Sequence, residues 1–552
     1  MLGTGVHSPE DRRFVGLAEG VLDDILVRDP AHATRIGDHR FDERMPDLTP
    51  DGADEFARVL QRHQLFLDRV DERALSRFAL ADLQILRRGV ARRIFDLTVL
   101  RRNEWDPLAW SPIDPLYTLV ARPYAPPKIR ARSLIHRLRT VPEFLDSARQ
   151  TLGPMPRPHV ITAVTQLRQL GSLLTGSLGE LASEPGVQDA VETAVRSCES
   201  HADWLWDQVD EAQRPAALGP DLYRGVMRHH LDLDCDIDEL LAAAEDDLDC
   251  VLDDLVTTAV QFGGTTVADR STISQAVEQL AAESDVSDAN VLEVADDALI
   301  HATDFVTENR IVSVPDIDLR LEAMPAARRG VAVAYCDAPG PLERSRLATL
   351  LAIAPTPRDW DRSRRQTFYR EYNRHMIQDL MVHEAMPGHA VQLARAREAA
   401  APTNARATMP SELFIEGWAV YAEEMMVREG FTAADEPRPS LRLQQLKMRL
   451  RTILNTILDI RIHTRGMTEA EARRLLSTKG FQEDGEIVGK WHRAQLTAGQ
   501  LPSYYVGHRG VSNVVADLAA RHRDWSLGTV HDAVLSHGSV PPAVLRGLVG
   551  LE

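Results

Sequence analysis

A histidine and a glutamate stand side by side in a largely apolar segment, and a second histidine follows six residues after the first. The segment reads His-Met-Ile-Gln-Asp-Leu-Met-Val-His-Glu-Ala-Met-Pro-Gly-His from residue 375 to residue 389. On a helix, the apolar row through Leu380 continues to His383, and the row through Met381 continues to Glu384. Burying such ionisable groups is costly unless they are paired or bind a metal. The alternative is a core histidine with satisfied hydrogen bonds, but the paired residue types and the nearby His389 favour a metal site.

The segment is similar to the His-Glu-x-x-His motif of zinc peptidases, but its histidines are farther apart. In that motif two histidines one turn apart bind Zn²⁺, and the glutamate between them activates water. Six residues of a straight helix correspond to a rotation of about 600°, which leaves His389 about 120° away from His383. Pro387 and Gly388 permit a kink or a bulge. We therefore expect a kinked helix that brings both histidines to one zinc ion.

A zinc site of this kind needs a third protein ligand, often a carboxylate from a later helix. The next helical segment begins near Ser411, which we expect to cap it. Glu416 shares a face with the apolar Leu413 and is the predicted third metal ligand. Glu423, two turns further on, is predicted to orient one of the metal ligands through a hydrogen bond, without binding the metal itself. Glu412 and Glu423 remain alternatives for the third ligand itself.

Several separated motifs resemble a bacterial family that is catalogued as domain of unknown function 885. The central ones are His-Glu-Ala-Met-Pro-Gly-His and Glu-Gly-Trp-Ala-Val-Tyr-Ala-Glu, and the matching segments lie at 29–37, 223–241, 383–389, 416–423, 459–468 and 502–507. The resemblance implies a mainly helical fold similar to the carboxypeptidase Taq type of metallopeptidase. Such a fold has a deep central groove, a small sheet at its rim, and zinc bound by His-Glu-x-x-His and a downstream glutamate.

These residues predict hydrolysis of a peptide bond by water that one bound zinc ion activates. Glu384 is the expected general base, which then delivers its proton to the leaving amine. The oxyanion needs a donor, for which Tyr504, Tyr505 and His508 are candidates. Gly507 beside them permits close backbone approach. Packing in the core with satisfied hydroxyl groups is the alternative for both tyrosines.

A carboxypeptidase must also bind the terminal carboxylate of its substrate, for which a bidentate arginine is best suited. Arg461 and Arg509 are the candidates, and packing on a helix surface is the alternative for both. The predicted function is therefore a zinc-dependent, carboxypeptidase-like metallopeptidase that acts on short peptides. Two alternatives stay open: a metal-dependent hydrolase of another small amide, and a catalytically inactive relative that serves as a binding protein.

The elements that position these residues are predicted to be mostly helices. Apolar residues recur at helical steps in the segments 14–27, 60–70, 78–99, 187–209 and 237–260. Between residues 310 and 355 a β-branched pattern predicts short strands at about 311–313, 317–322, 331–336 and 347–354. The predicted fold is mainly α, a large multi-helix metallopeptidase-like fold with a central groove and this small β-sheet. We expect one two-lobed domain over 1–552, with a helical part at 1–308, a sheet insertion at 309–356 and a helical part with the metal site at 357–552.

Composition excludes several classes of protein. The chain has 552 residues and a net charge of −19, which argues against a dedicated nucleic-acid binder. Four cysteines are too few for a disulfide scaffold. Because neither a secretory leader nor a long apolar run is evident, a cytoplasmic protein without a membrane partner is expected. The expected partners are a peptide or small amide substrate, and a homodimer is a candidate assembly.

Overall fold

The chain folds mainly into α-helices, as predicted. The structure is a computed structural model, and it describes residues 8–234, 236–324, 333–357, 360–432 and 439–551. The first twelve helices are α1 (Pro9–Arg28), α2 (Pro30–Ile36), α3 (Pro50–Asp68), α4 (Arg77–Phe95), α5 (Ile113–Val120), α6 (Pro127–Thr151), α7 (Arg157–Ser177), α8 (Val187–Asp207), α9 (Pro220–His230), α10 (Ile237–Gly263), α11 (Arg270–Ala282) and α12 (Val291–Glu308).

Within the described ranges, three short strands and a second series of helices follow. The strands are β1 (Leu319–Ala323), β2 (Ala334–Asp337) and β3 (Thr349–Ile353). The later helices are α13 (Arg362–Glu371), α14 (Arg374–Glu384), α15 (His389–Glu398), α16 (Ala405–Thr408), α17 (Glu412–Arg428), α18 (Ser440–Arg465), α19 (Glu469–Thr478), α20 (Asp484–Leu496), α21 (Pro502–Arg521), α22 (Leu527–Leu535) and α23 (Pro542–Leu548).

The helices that carry the candidate site begin where polar side chains satisfy their free backbone N–H groups. The side chain of Asn373 accepts hydrogen bonds from the backbone N–H groups of His375 and Met376 at the start of α14. Ser411 accepts from Phe414 N–H at the start of α17, which confirms the predicted cap. Such caps fix the point at which a helix starts, and hence which side chains face the core.

The small sheet has the strand order β1-β3-β2, with β1 parallel and β2 antiparallel to β3. The buried Ile353 of β3 packs in one apolar cluster with Met376 and Leu380 of α14, so the sheet supports the helix that carries His383. The predictions at 317–322 and 347–354 overlap with β1 and β3. The prediction at 331–336 overlaps with β2, although residues 331 and 332 lie outside the described residues.

The predicted strand at 311–313 is wrong. Ile311 and Val312 are buried, but they lie in irregular backbone directly after α12. The carbonyl group of Ile311 accepts a hydrogen bond from His531 Nδ1 at 2.7 Å instead of joining a strand ladder. Burial therefore explains the apolar residues that suggested a strand at this position.

The chain divides into two compact units that are discontinuous in sequence. The first comprises Met1–Ala216, Pro339–Leu347 and Ala400–Met409, and the second comprises Ala217–Ala338, Ala348–Ala399 and Pro410–Glu552. Residues 217–308, which the sequence grouped with the N-terminal part, thus belong to the second unit. The same unit contains the sheet and every residue predicted for the metal site.

Each unit has its own apolar core. In the first unit, helices α5 to α8 enclose a cluster that includes Leu134, Leu167 and Leu205. In the second unit, α10 packs along α18 through residues such as Leu252 and Leu450. Among the described residues, no helix combines the length and the apolar character needed to cross a bilayer.

Candidate metal centre

The two histidines of the motif lie on two successive helices. Helix α14 ends at Glu384, and α15 begins at His389. The intervening turn contains a cis peptide bond between Met386 and Pro387. The expected kink is therefore a complete break between helices. A new helix that starts at His389 removes the angular mismatch that a continuous helix would impose.

The turn between α14 and α15 is closed by tight backbone contacts. The Gly388 N–H donates to Val382 O at 3.0 Å. A Cβ atom on Gly388 would lie 1.8 Å from the carbonyl oxygen of His383, so a side chain does not fit there. Trp418 Nε1 donates to Pro387 O at 2.9 Å, which ties the turn to α17. The position of His389 therefore depends on α17 as well as on its own helix.

Three side chains that were predicted to bind metal converge within the second unit. His383, His389 and Glu416 each offer one ligand atom, and these atoms all lie within 4.8 Å of one another. Glu416 Oε2 lies 3.7 Å from His383 Nε2 and 3.6 Å from His389 Nε2. The imidazole rings are nearly perpendicular, at 84°, with centroids 4.7 Å apart. Two imidazole nitrogens and a carboxylate oxygen around one point form a typical ligand set for catalytic zinc.

The hydrogen bonds around the cluster leave its metal-facing atoms free. Glu416 Oε2 is buried and has no hydrogen-bond partner among the residues that the structure describes. His383 Nδ1 instead bonds to Glu423 Oε1 at 2.5 Å. If Glu423 accepts the Nδ1 proton, Nε2 carries a free lone pair that points toward Glu416. Because an orphaned buried oxygen is costly, a cation between the three side chains would account for the arrangement.

The electrostatics of the cluster also favour a cation. Burial alone would lower the pKa of His383, but the neighbouring carboxylates of Glu416, Glu423 and Glu384 outweigh it and raise that pKa. Burial would raise the pKa of Glu416, but the two histidines lower it well below its usual range. Burial and the charge of Glu423 raise the pKa of Asp379, one turn before His383. The site therefore places several carboxyl groups in one buried region, where a metal ion would favour their charged forms.

Glu384, the predicted general base, is the last residue of α14 and directly follows His383. It is buried, with 9% of its surface exposed. Its charge contributes to the raised pKa of His383. Glu384 is thus adjacent in the chain to one candidate ligand and acts on it electrostatically.

Helix α21 contributes a tyrosine beside the cluster because two glycines let it approach α17. A Cβ atom on Gly507 would lie 2.2 Å from the carbonyl oxygen of Leu413 and 3.0 Å from the Cα atom of Gly417. The missing side chain of Gly507 thus permits close contact between the two helices. Tyr504 lies one turn before Gly507. Burial and the charge of Glu416 raise the pKa of its hydroxyl group, so Tyr504 is a neutral donor near the cluster.

Arg493 is a residue of this site that the sequence analysis missed. It lies on α20 and donates from Nη2 to the hydroxyl oxygen of Tyr504 at 3.3 Å. It is exposed, and no apolar row or motif leads to it in the sequence.

Four other predicted residues have partners away from the three ligands. Tyr505 donates its hydroxyl proton to Asp247 at 2.6 Å, and Arg509 donates to Tyr505 at 2.7 Å. His508 Nε2 bonds to Glu424 at 2.8 Å. Arg461 forms an ion pair with Glu245 at 2.5 Å. The charge of Glu416 acts on Tyr504. Tyr505, His508, Arg461 and Arg509 are instead engaged in contacts between helices.

Comparisons with known proteins identify relatives over nearly the full length. The sequence matches the model of a family described as bacterial protein of unknown function (DUF885) over residues 30–549. A "putative lipoprotein of unknown function" from Shewanella oneidensis has a similar structure, with a TM-score of 0.80 and 26% identity over 98% of this chain and 100% of that one. A "putative lipoprotein" from Colwellia psychrerythraea has a TM-score of 0.81 and 16% identity over 98% and 99% of the two chains, which is a likeness of fold alone. No curated protein matches the sequence.

Proposed function

Because the chain belongs to the DUF885 family of bacterial proteins, as its motifs predicted, we propose a function from its own site: a zinc-dependent peptidase that hydrolyses short peptides. One observation carries the proposal. The buried oxygen Glu416 Oε2 lies within 3.7 Å of both His383 Nε2 and His389 Nε2, and it lacks a hydrogen-bond partner in the described part of the chain. We also propose that the fold is similar to that of carboxypeptidase Taq-type enzymes, which have a central groove.

His383, His389 and Glu416 would hold the metal, and Glu423 would fix the orientation of His383. This donor set suits zinc, although similar sets also bind other divalent transition metals. A divalent ion bound there supplies a Lewis acid that polarises a carbonyl group and makes water more acidic. Three protein ligands would leave a coordination position for the substrate or water, as in catalytic rather than structural zinc sites.

The residues around the cluster have distinct roles in this proposal. The Glu384 carboxylate takes a proton from the attacking water and delivers it to the nitrogen of the leaving amine. The neutral hydroxyl group of Tyr504 donates a hydrogen bond to the oxygen on which negative charge develops. Arg493 holds that hydroxyl group through its own hydrogen bond.

The test combines metal analysis with turnover of a short-peptide library by the purified full-length chain. We expect about one zinc ion per wild-type chain, together with peptide cleavage. His389→Ala should lose both the metal and the cleavage. Glu384→Gln should keep the metal and lose turnover by at least about 10²-fold, because it removes the base and keeps the ligands.

The matched controls are His136→Ala and Glu398→Gln, since both residues are exposed. Each should behave as the wild type. A wild-type chain that binds no zinc after reconstitution, or that binds zinc and cleaves no peptide in the library, would contradict the proposed function. Turnover that survives in Glu384→Gln would exclude Glu384 as the base.

A further inference from the structure

Arg493 presents guanidinium donors that no carboxylate of the described chain takes up. Its Nη2 atom donates to Gln500 Oε1 at 2.8 Å and to the Tyr504 hydroxyl group at 3.3 Å. Both partners are neutral, and Nε and Nη1 have no hydrogen-bond partner among the described residues. Arg461 and Arg509, by contrast, both lie beside carboxylates of α10.

Tyr504 connects Arg493 to the pair of helices that includes the helix of the candidate ligand Glu416. The backbones of α17 and α21 meet at Gly417 and Gly507. Gly417 directly follows Glu416 in α17. Gly507 lies one turn after Tyr504 in α21. Desolvation by neighbouring groups would lower the pKa of Arg493, but Tyr504 and the charges of Glu416 and Glu486 raise it. The guanidinium is therefore positively charged and held in place by Tyr504 and Gln500, on a residue that solvent still reaches.

Ion pairing among the described residues does not explain a positive charge at this position. On the same helix, Lys490 donates to Asn455 Oδ1 at 2.7 Å and has a carboxylate oxygen of Glu486 at 3.9 Å. Arg493 has no carboxylate within ion-pair distance in the described ranges. A planar guanidinium with free N–H groups matches the geometry of a carboxylate, which it can bind through two parallel hydrogen bonds.

We propose that Arg493 binds the free α-carboxylate of a peptide substrate, so that the enzyme removes residues from the carboxyl terminus. The inference rests on the proposed peptidase function. Tyr504 connects the two parts of the site, because its hydroxyl group accepts from Arg493 and lies in the field of Glu416. The arginine would hold the last residue of the substrate while the preceding peptide bond lies at the metal centre.

The experiment compares three forms of one short peptide with the zinc-loaded full-length protein. The first ends in an apolar residue with a free carboxylate, the second is its C-terminal amide, and the third is an amide whose last residue is glutamate. We expect kcat/KM for the free acid to exceed that for the apolar amide by about tenfold to a hundredfold, the range for losing a hydrogen bond to a charged group.

In Arg493→Ala this preference should disappear, mainly through a higher KM for the free acid. Arg493→Lys should keep part of it, because it retains the charge and loses the bidentate geometry. Arg521→Ala is the matched control, since Arg521 is an exposed arginine at the far end of α21. Cleavage of the glutamate amide as fast as the free acid would mean that Arg493 binds a side-chain carboxylate, and would overturn the terminal specificity.

A binding measurement keeps the inference testable apart from turnover. Titration calorimetry of N-acetylphenylalanine and its amide should give at least about tenfold tighter binding of the acid to the wild type and equal binding to Arg493→Ala. If the wild type bound and cleaved the acid and the amide equally, but still needed zinc and Glu384 for cleavage, this inference alone would be overturned. A chain that binds neither zinc nor peptide would overturn the proposed function as well.

Discussion

At the scale of the residue, the imidazole of His383 is oriented by Glu423, which accepts from Nδ1 at 2.5 Å. Partners of this kind fix the ring and raise its basicity as a ligand, and their loss typically weakens metal binding by about 10- to 100-fold. We therefore expect Glu423→Gln to bind zinc about 10- to 100-fold less tightly than the wild type, with little change in fold. Competition with a chromophoric chelator measures this affinity.

The control for this substitution is Glu429→Gln, on an exposed residue that follows the end of the same helix. Its zinc affinity should stay within about twofold of the wild type, because surface charges act weakly at a distance. Equal affinities for the two variants would show that Glu423 does not support His383.

Individual residues also show which parts of the candidate site a sequence pattern can predict. His383, Glu384 and Glu416 could be predicted because each continues an apolar row of a helix, where a polar group needs a reason to be buried. Arg493 could not be predicted in this way, since it is exposed and its role depends on Tyr504 in another helix. The choice between Tyr504 and Tyr505 likewise depends on which side of α21 faces the cluster.

At the scale of the element, the contact between α17 and α21 positions Tyr504 beside Glu416. A Cβ atom on Gly417 would lie 2.4 Å from the carbonyl carbon and oxygen of Gly507. Because these are backbone atoms, Gly417→Ala must push the helices apart. We expect a loss of about 1–3 kcal/mol in the free energy of unfolding, the usual range for overpacking. A lower midpoint in thermal denaturation would reveal it.

Gly489→Ala is the control at this scale. Gly489 lies inside α20, is exposed, and has no atom near the position of an added Cβ. Alanine there should leave stability unchanged or raise it by about 0.5–1 kcal/mol, because glycine is the poorer helix former. If both variants melted at the same temperature, the two backbones would not be in the tight contact described above.

The break between α14 and α15 shows what local sequence indicates about an element. Pro387 and Gly388 marked the place, since neither suits a helix interior. The form of the break depends on contacts from outside the segment, above all the hydrogen bond from Trp418 to Pro387. A kink was therefore the natural expectation, and two separate helices are the result.

At the scale of the whole molecule, periodicity predicted the helical class and most of the sheet, but not how segments combine into units. Residues 339–347 belong to the first unit although the sheet lies in the second. Leu342 N–H donates to Ile36 O at 2.8 Å, and a Cβ on Gly340 would lie 2.3 Å from the Ile36 carbonyl carbon. Such pairings join residues about three hundred positions apart, for which the local pattern carries no signal.

The second unit also contains a buried histidine that should make stability depend on pH. His531 Nδ1 donates to Ile311 O at 2.7 Å, and Nε2 accepts from the Tyr421 hydroxyl group at 2.9 Å. Both nitrogens are used by the neutral ring, and burial lowers the pKa of His531 to about 4. The unfolded imidazole has a pKa of about 6.5, so between these values the unfolded chain binds a proton that the folded chain does not.

The contribution of His531 to stability is therefore present above about pH 6.5 and is lost as the pH falls toward 4, with about 2 kcal/mol lost at pH 5. His531→Gln cannot titrate, so its thermal midpoint should fall less between pH 7 and pH 5 than that of the wild type, even if it is lower at pH 7. The exposed His136→Gln should keep the wild-type pH dependence. Parallel pH profiles for His531→Gln and the wild type would mean that His531 is protonated as readily in the folded protein as in the unfolded chain.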